Sequence, residues 1–285
     1  MELICPVCGQ ALSRKEASWQ CENRHSFDVA RQGYVNLLTV DRKHARHPGD
    51  TKEQVAARRT FLDAGFYLPI VQTVCQMIVP LAPKAVLDTG CGEGYYLTRL
   101  QEQLPKTEFA GIDISKDAVR FAAVRNKNAL WLTATAAALP FPAESFDCVL
   151  SMFALTVAGE FARVLRQKGW FLQVLAGPEH LMGLKNIIYP EILHKEKILH
   201  PDVPGFFLDR TETLEFTFTV DENAQVQNLL SMTPHYFRIS RDGAARLAAT
   251  DHLTDTAQVI FNLYRKEDIH AGAITASGGA LRGNG

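Results

Sequence analysis

One segment restricts the fold of this chain more than any other, Val86-Leu87-Asp88-Thr89-Gly90-Cys91-Gly92-Glu93-Gly94. A short apolar run ends on three alternating glycines, and a helical stretch from Gly94 to Leu104 follows. Strand, tight turn and helix in that order make the first half of a βαβ unit. The pattern then repeats. Glu108–Ser115 reads as a strand and Lys116–Asn126 as a helix, with further strands at Leu130–Thr135 and Ser145–Ala154. A helix at Gly159–Leu165 leads into a strand at Gly169–Ala176. Alternation of this kind implies an α/β fold, a parallel sheet with helices on both faces.

Beyond Gly177 the pattern changes. Helices are expected at Pro178–Ile188, Ala224–Met232 and Gly243–Thr250, and strands at Phe206–Val220 and Ala257–Lys266. Upstream, Asp41–Asp50 is polar and ends in a turn signal, which marks a linker. Asp50 or Thr51 is placed to cap a helix running to about Ala64, and a second helix covers Tyr67–Val79. The division expected is residues 1–40 as a metal-binding unit, 41–80 as linker and helices, and 81–268 as the main domain. The Gly-rich residues 269–285 form a tail with too little apolar surface to order itself.

The N-terminus carries a second strong motif. Cys5, Cys8, Cys21 and His25 have the spacing C-x2-C-x12-C-x3-H. C-x2-C offers two thiolates from one tight turn, and the second pair closes a tetrahedral zinc site. A unit this small has too little core to stand alone, so the metal supplies the missing free energy. Four protein ligands leave no open position, so the zinc is structural. Cys75, Cys91 and Cys148 lie in apolar context and read as interior thiols.

Glycines at 90, 92 and 94 bring the backbone close to a ligand lying across the strand ends. Nucleotide enzymes of several kinds use such turns, and carboxylates narrow the choice. Asp88 precedes the first glycine, where it meets an amino group. Asp88 and Glu93 repel a pyrophosphate but tolerate a cationic sulfonium. Asp113 ends the second strand, at roughly the ~20-residue spacing of a ribose-binding acid. These features favour S-adenosylmethionine. The structural alternatives are a helix-packing role for the glycines and an N-cap role for Asp113.

In these residues, and over a span from about Leu3 to Arg265, the chain resembles the RlmA-type 23S rRNA (guanine-N1)-methyltransferases. The most specific blocks are Cys5–Leu38, His47–Ile70, Val86–Tyr96, Gly111–Val119, Leu139–Phe141, Gly177–Lys185 and Leu229–Arg238. The resemblance implies a seven-stranded, Rossmann-like class I S-adenosylmethionine methyltransferase with a small N-terminal zinc-binding domain. It implies methyl transfer to N1 of a guanine in a hairpin loop of 23S rRNA, and a homodimer. Cys5, Cys8, Cys21 and His25 match the metal ligands. The expected cofactor set is Asp88, Gly90, Gly92, Glu93, Gly94, Tyr95, Tyr96, Asp113, Leu139 and Pro140. The adenine wall falls just before Leu139, at Ala136–Ala138.

One position departs from the family pattern. After the fourth strand the family reads Tyr/Phe-Ala-Pro, whereas this chain reads Phe153-Ala154-Leu155. Losing the proline frees φ and restores an N–H beside the methyl acceptor. The alternatives it keeps open are a different RNA or small-molecule acceptor, or a non-catalytic RNA-binding protein. No residue declares itself as a general base; Glu160, His180 and His235 are candidates. Phe153, Tyr95 and Tyr236 are candidates to stack on the base, and Arg58 and Arg59 to hold phosphate. The net charge of −1 divides unevenly, +3 over residues 1–60 and −4 over the rest, a weak pointer to nucleic acid. The longest apolar stretches, such as Met77–Ala82, are too short to span a bilayer, and the first ten residues lack a secretory pattern, so a cytoplasmic location is expected.

Overall fold

The computed structural model describes residues 1–39, 49–192 and 196–267. The linker expected at Asp41–Asp50 falls mostly outside these residues, and the tail at 269–285 entirely so.

The N-terminal unit is an antiparallel four-stranded sheet in sequential order, β1 (Leu3–Ile4), β2 (Ala11–Lys15), β3 (Ser18–Gln20) and β4 (Ser26–Asp28). It docks through an Ile4 amide that donates to the Pro140 carbonyl at 3.0 Å. Leu3 and Leu12 share one buried cluster with Leu139 and Phe141 of the main domain.

The main domain follows as β5 (Val35–Asn36), α1 (Lys52–Asp63), α2 (Leu68–Ile78), β6 (Ala85–Thr89), α3 (Tyr95–Gln103), β7 (Glu108–Asp113) and α4 (Lys116–Arg125). Then come β8 (Leu130–Thr133), β9 (Phe146–Met152), α5 (Ala158–Val164), β10 (Leu165–Ala176), α6 (Met182–Ile188), β11 (Phe206–Val220), α7 (Asn223–Ser231), α8 (Arg241–Ala248) and β12 (Leu253–Lys266). The strands form one sheet in the order β11-β12-β10-β9-β6-β7-β8-β5. Among the described strands of this sheet, β12 alone runs against the common direction, antiparallel to both β10 and β11. The order reverses between β6 and β9, and that switch point is where an open α/β sheet presents its crevice.

Alternate side chains along each strand supply two cores. Val86, Cys148, Leu150, Leu172 and Val174 face the α1–α3 side. Leu87, Ala110, Ile112, Val149 and Phe171 face the α5 side, where the N-terminal unit also packs. Strands buried on both faces read as continuous apolar runs, which is why they stood out in the sequence.

The seven expected strands are all present, but the sheet has eight. Val35–Asn36 adds an edge by pairing in parallel with Leu132–Thr133. Two residues carry no periodicity, so no pattern reveals them. A strand of the large sheet therefore lies inside residues 1–40, and the N-terminal sheet ends near Asp28. The helix expected at Pro178–Ile188 begins only at Met182, because Leu181 takes a left-handed conformation with φ 56°. Helix α1 begins as expected. The Gln54 amide donates to Thr51 Oγ1, and the Thr51 amide donates to Gln54 Oε1, a reciprocal capping box. No single helix among the described residues is long and apolar enough to cross a membrane.

Candidate functional site

A cleft of about 540 Å³ opens at the carboxyl ends of β6, β7 and β9. Its inner end is the turn between β6 and α3. The Gly90 and Cys91 amides both donate to the Ile112 carbonyl at 2.9 Å, which folds the turn back onto β7. Gly90 has φ +77°, and a Cβ there would meet the Ala154 Cβ at 2.6 Å. Only glycine serves at such a position.

Three carboxylates gather around this turn. Asp113 accepts from the Gly92 amide at 2.9 Å and from the Ser115 amide at 2.8 Å, which fixes its plane at the end of β7. Glu93 is buried, with Arg58 and Arg125 as its nearby cations, and burial raises its pKa. Asp88 is 1% exposed, and neither of its oxygens has a hydrogen-bond partner among the described residues. Burial, then Asp113, then Glu93 push its pKa up to about 8. A buried acceptor without a donor costs about 1–3 kcal/mol, so this carboxylate is set for a cationic donor from a ligand.

Most of the residues expected from the sequence meet here. Asp88, Gly90, Gly92, Glu93, Tyr95, Tyr96 and Asp113 all line the cleft. Gly94, Leu139 and Pro140 do not. Gly94 supports the turn from behind, since a Cβ there would strike Trp131 at 2.6 Å. Leu139 is held by its amide to Glu160 Oε2 at 2.6 Å, and Pro140 receives Ile4 of the N-terminal unit. The wall beside the cleft is Ala134–Ala137 instead, one turn earlier in the chain.

Other lining residues come from distant segments, and of these the sequence singles out Arg58, as a phosphate candidate. Gly49 and Asp50 cross the end of β7, where Ser115 Oγ donates to the Asp50 carbonyl at 2.7 Å. Arg58 pairs with Asp50 and lines the cleft, whereas Arg59 turns outward to Asp63. The far wall is the end of α7 and the short 3-10 helix Pro234–Phe237. None of the three acid–base candidates lines the cleft. Glu160 pairs with Arg163, His180 binds the Gln258 carbonyl through Nδ1 at 3.0 Å, and His235 meets the Tyr189 hydroxyl at 2.8 Å. Of the stacking candidates, Tyr95 is buried beneath Arg99 and Arg125, while Phe153 and Tyr236 are exposed.

In the N-terminal unit, Cys5, Cys8, Cys21 and His25 present donor atoms all within 4.8 Å of one another. The Cys8–Cys21 sulfurs are 3.7 Å apart, and His25 Nδ1 lies 3.5 Å from Cys5 Sγ and 3.4 Å from Cys21 Sγ. A tetrahedral zinc with bonds of ~2.3 Å to sulfur and ~2.0 Å to nitrogen sets edges of roughly 3.5–3.8 Å. The donor set fits that ion.

The comparisons with known proteins agree with both sites. Residues 3–46 match the family model described as RlmA, N-terminal, and residues 86–169 match one described as a methyltransferase domain. A 23S rRNA (guanine(748)-N(1))-methyltransferase from Streptomyces fradiae is 34% identical over 87% of this chain and 90% of its own. The chain belongs to the RlmA-type 23S rRNA (guanine-N1)-methyltransferase family. A Bacillus subtilis (strain 168) protein, provisionally named as a 23S rRNA (guanine-N(1)-)-methyltransferase, is 30% identical over 85% of this chain and 89% of its own. One from Micromonospora griseorubida, with the same provisional name, is 37% identical over 64% of this chain and 68% of its own. As a member of this family the enzyme uses S-adenosylmethionine and carries a structural zinc.

Proposed function

We propose that the enzyme transfers a methyl group from S-adenosylmethionine to N1 of a guanine in 23S rRNA, in the cleft between the β6 turn and the Pro234–Phe237 helix. The observation that carries this reading is the pair of unpartnered Asp88 oxygens, buried beside a glycine turn whose Gly90 has no space for a Cβ against Ala154. The bound cofactor supplies a sulfonium-activated methyl group. Asp88 takes the cofactor's amino group, Asp113 its ribose hydroxyls, and Gly90 and Gly92 give it room. Glu93 keeps Arg58 at the turn, and Tyr96 and Ala134–Ala137 wall the ligand in. With Glu160, His180 and His235 all outside the lining, the chain's contribution is positioning of two reactants for an in-line displacement. Cys5, Cys8, Cys21 and His25 hold zinc in the unit that ends near Asp28, and the metal takes no part in the chemistry.

Incubation with labelled cofactor and 23S rRNA from a strain lacking this gene tests the reading. Label in the rRNA, with a primer-extension stop at one guanine, is expected, since N1 methylation blocks pairing. Absence of label in RNA contradicts it. A stop at another base supports a second reading. Leu155 favours that one, standing 73% exposed at the cleft mouth where the family has proline. The family resemblance supports a homodimer and a cytoplasmic location. Light scattering of the purified enzyme checks the first, and cell fractionation the second.

A further inference from the structure

The cleft changes character from its inner end to its mouth. Inside are the three carboxylates. At the mouth stand Phe153 (40% exposed), Leu155 and Phe237 (71% exposed), apolar side chains left in water on opposite lips of one opening. Phe153 sits at the end of β9 with φ +54°, a strained backbone for a bulky side chain. The His180 ring lies behind it at 6.2 Å between centroids. Phe237 ends the short helix opposite, edge-on to Tyr236 at 5.3 Å.

Cations gather next to that opening. Lys197 Nζ donates to the Ala176 carbonyl at 3.3 Å and the Gly177 carbonyl at 2.9 Å, and Lys185 Nζ reaches the Pro178 carbonyl at 3.5 Å. Both ammoniums are thus tied to the loop that carries His180. Burial lowers the pKa values of His180 and of His235 on the short helix, and the charges of both lysines add to that. Neither lysine forms an ion pair among the described residues. Asp255 and Glu179 act on Lys185, but Asp255 is occupied by the Gly183 and Leu184 amides. Positive charge only partly offset by Asp255 and Glu179, beside exposed aromatic faces, is the chemistry that receives a looped-out nucleotide.

Resting on the proposed function, we propose that this mouth is the RNA entry site. The target base seats between Phe153 and Phe237, and a neighbouring backbone phosphate lies on Lys185 and Lys197. Exposed rings give a sequence-tolerant stacking surface, while two cations held on one loop fix where the backbone runs.

The test uses the full-length, zinc-loaded enzyme, an unmodified 23S rRNA transcript and S-adenosylhomocysteine. Phe237→Ala is expected to weaken rRNA binding and raise its KM by roughly 5- to 100-fold. Cofactor affinity by calorimetry should stay within about twofold, and Phe237→Trp should restore RNA binding. Lys197→Gln is expected to lower the slope of log affinity against log salt by about 0.7, whereas Phe237→Ala leaves the slope unchanged. Wild-type KM and slope in both variants overturn the proposal. So does a Phe237→Ala loss that falls equally on cofactor and RNA, because the lip then belongs to the cofactor site. A wild-type enzyme that binds no S-adenosylhomocysteine overturns the methyltransferase reading instead. RNA binding lost on these same substitutions would still support the entry site.

Discussion

The two sheets of this protein are held together by different means. In the N-terminal unit the only buried apolar side chains among residues 1–30 are Leu3, Cys5, Leu12 and Cys21, and two of those belong to the Cys/His donor cluster. The eight-stranded sheet is covered on both faces, with Leu87, Val149, Leu150, Phe171 and Leu172 entirely buried. A small sheet cannot offset the entropy of ordering its own chain, so a metal must supply the difference. A large one does so from apolar area and is free to keep a costly polar cleft at its switch point. The contrast explains why charged groups are exposed or metal-directed in one region, yet deeply buried around Asp88 in the other.

Removing the metal should break the comparison most visibly. Structural zinc is worth on the order of 10 kcal/mol in small metal-dependent units. Chelation, or Cys21→Ser, is expected to expose residues 1–30 to protease and hydrogen exchange while the large sheet stays protected. Protection lost across both sheets together would mean that they form one cooperative unit. A smaller effect belongs to Gly94. An Ala there adds a left-handed strain and an overlap with Trp131 and with Ala122, at 2.6 and 3.0 Å. The expected cost is about 2–4 kcal/mol in urea unfolding, confined to the large domain. Smallest is Thr51→Ala, which removes the capping box of α1. About 1 kcal/mol should be lost from the large domain, with none from zinc affinity.

Legibility in the sequence followed the range of the interaction. Cys5, Cys8, Cys21 and His25 were readable because ligand spacing is local, and they converge as that spacing requires. The glycine turn was readable for the same reason, and the seven longer strands because burial on both faces makes apolar runs. Leu139 and Pro140 were placed in the cofactor site because they follow Ala136–Ala138. In space the chain turns away after Ala137 to meet the N-terminal unit and α5. Gly49 and Phe237 reach the cleft from far along the chain, through packing that leaves no short motif, whereas Arg58 stands out in the sequence only for its charge. His180 and His235 looked like acid–base groups by residue type alone. Their hydrogen bonds to Gln258 and Tyr189 tie them beside the opening rather than inside it.

The most direct measurement is cofactor affinity by calorimetry as a function of pH. In the free enzyme Asp88 is raised to about 8, so near neutrality it is mostly protonated. The cofactor's ammonium needs the ionised form, so binding releases a proton and affinity rises with pH until Asp88 titrates. Between pH 6 and 7 the gain should approach tenfold, with heats that depend on the buffer's ionisation enthalpy. Asp88→Asn should bind about 10- to 100-fold more weakly at pH 8, as expected for one lost charge-assisted hydrogen bond, and show a flatter profile. Equal affinity at pH 6 and 7 in the wild type, or an Asn variant as tight as the wild type, would contradict the assignment of Asp88 to the cofactor's amino group.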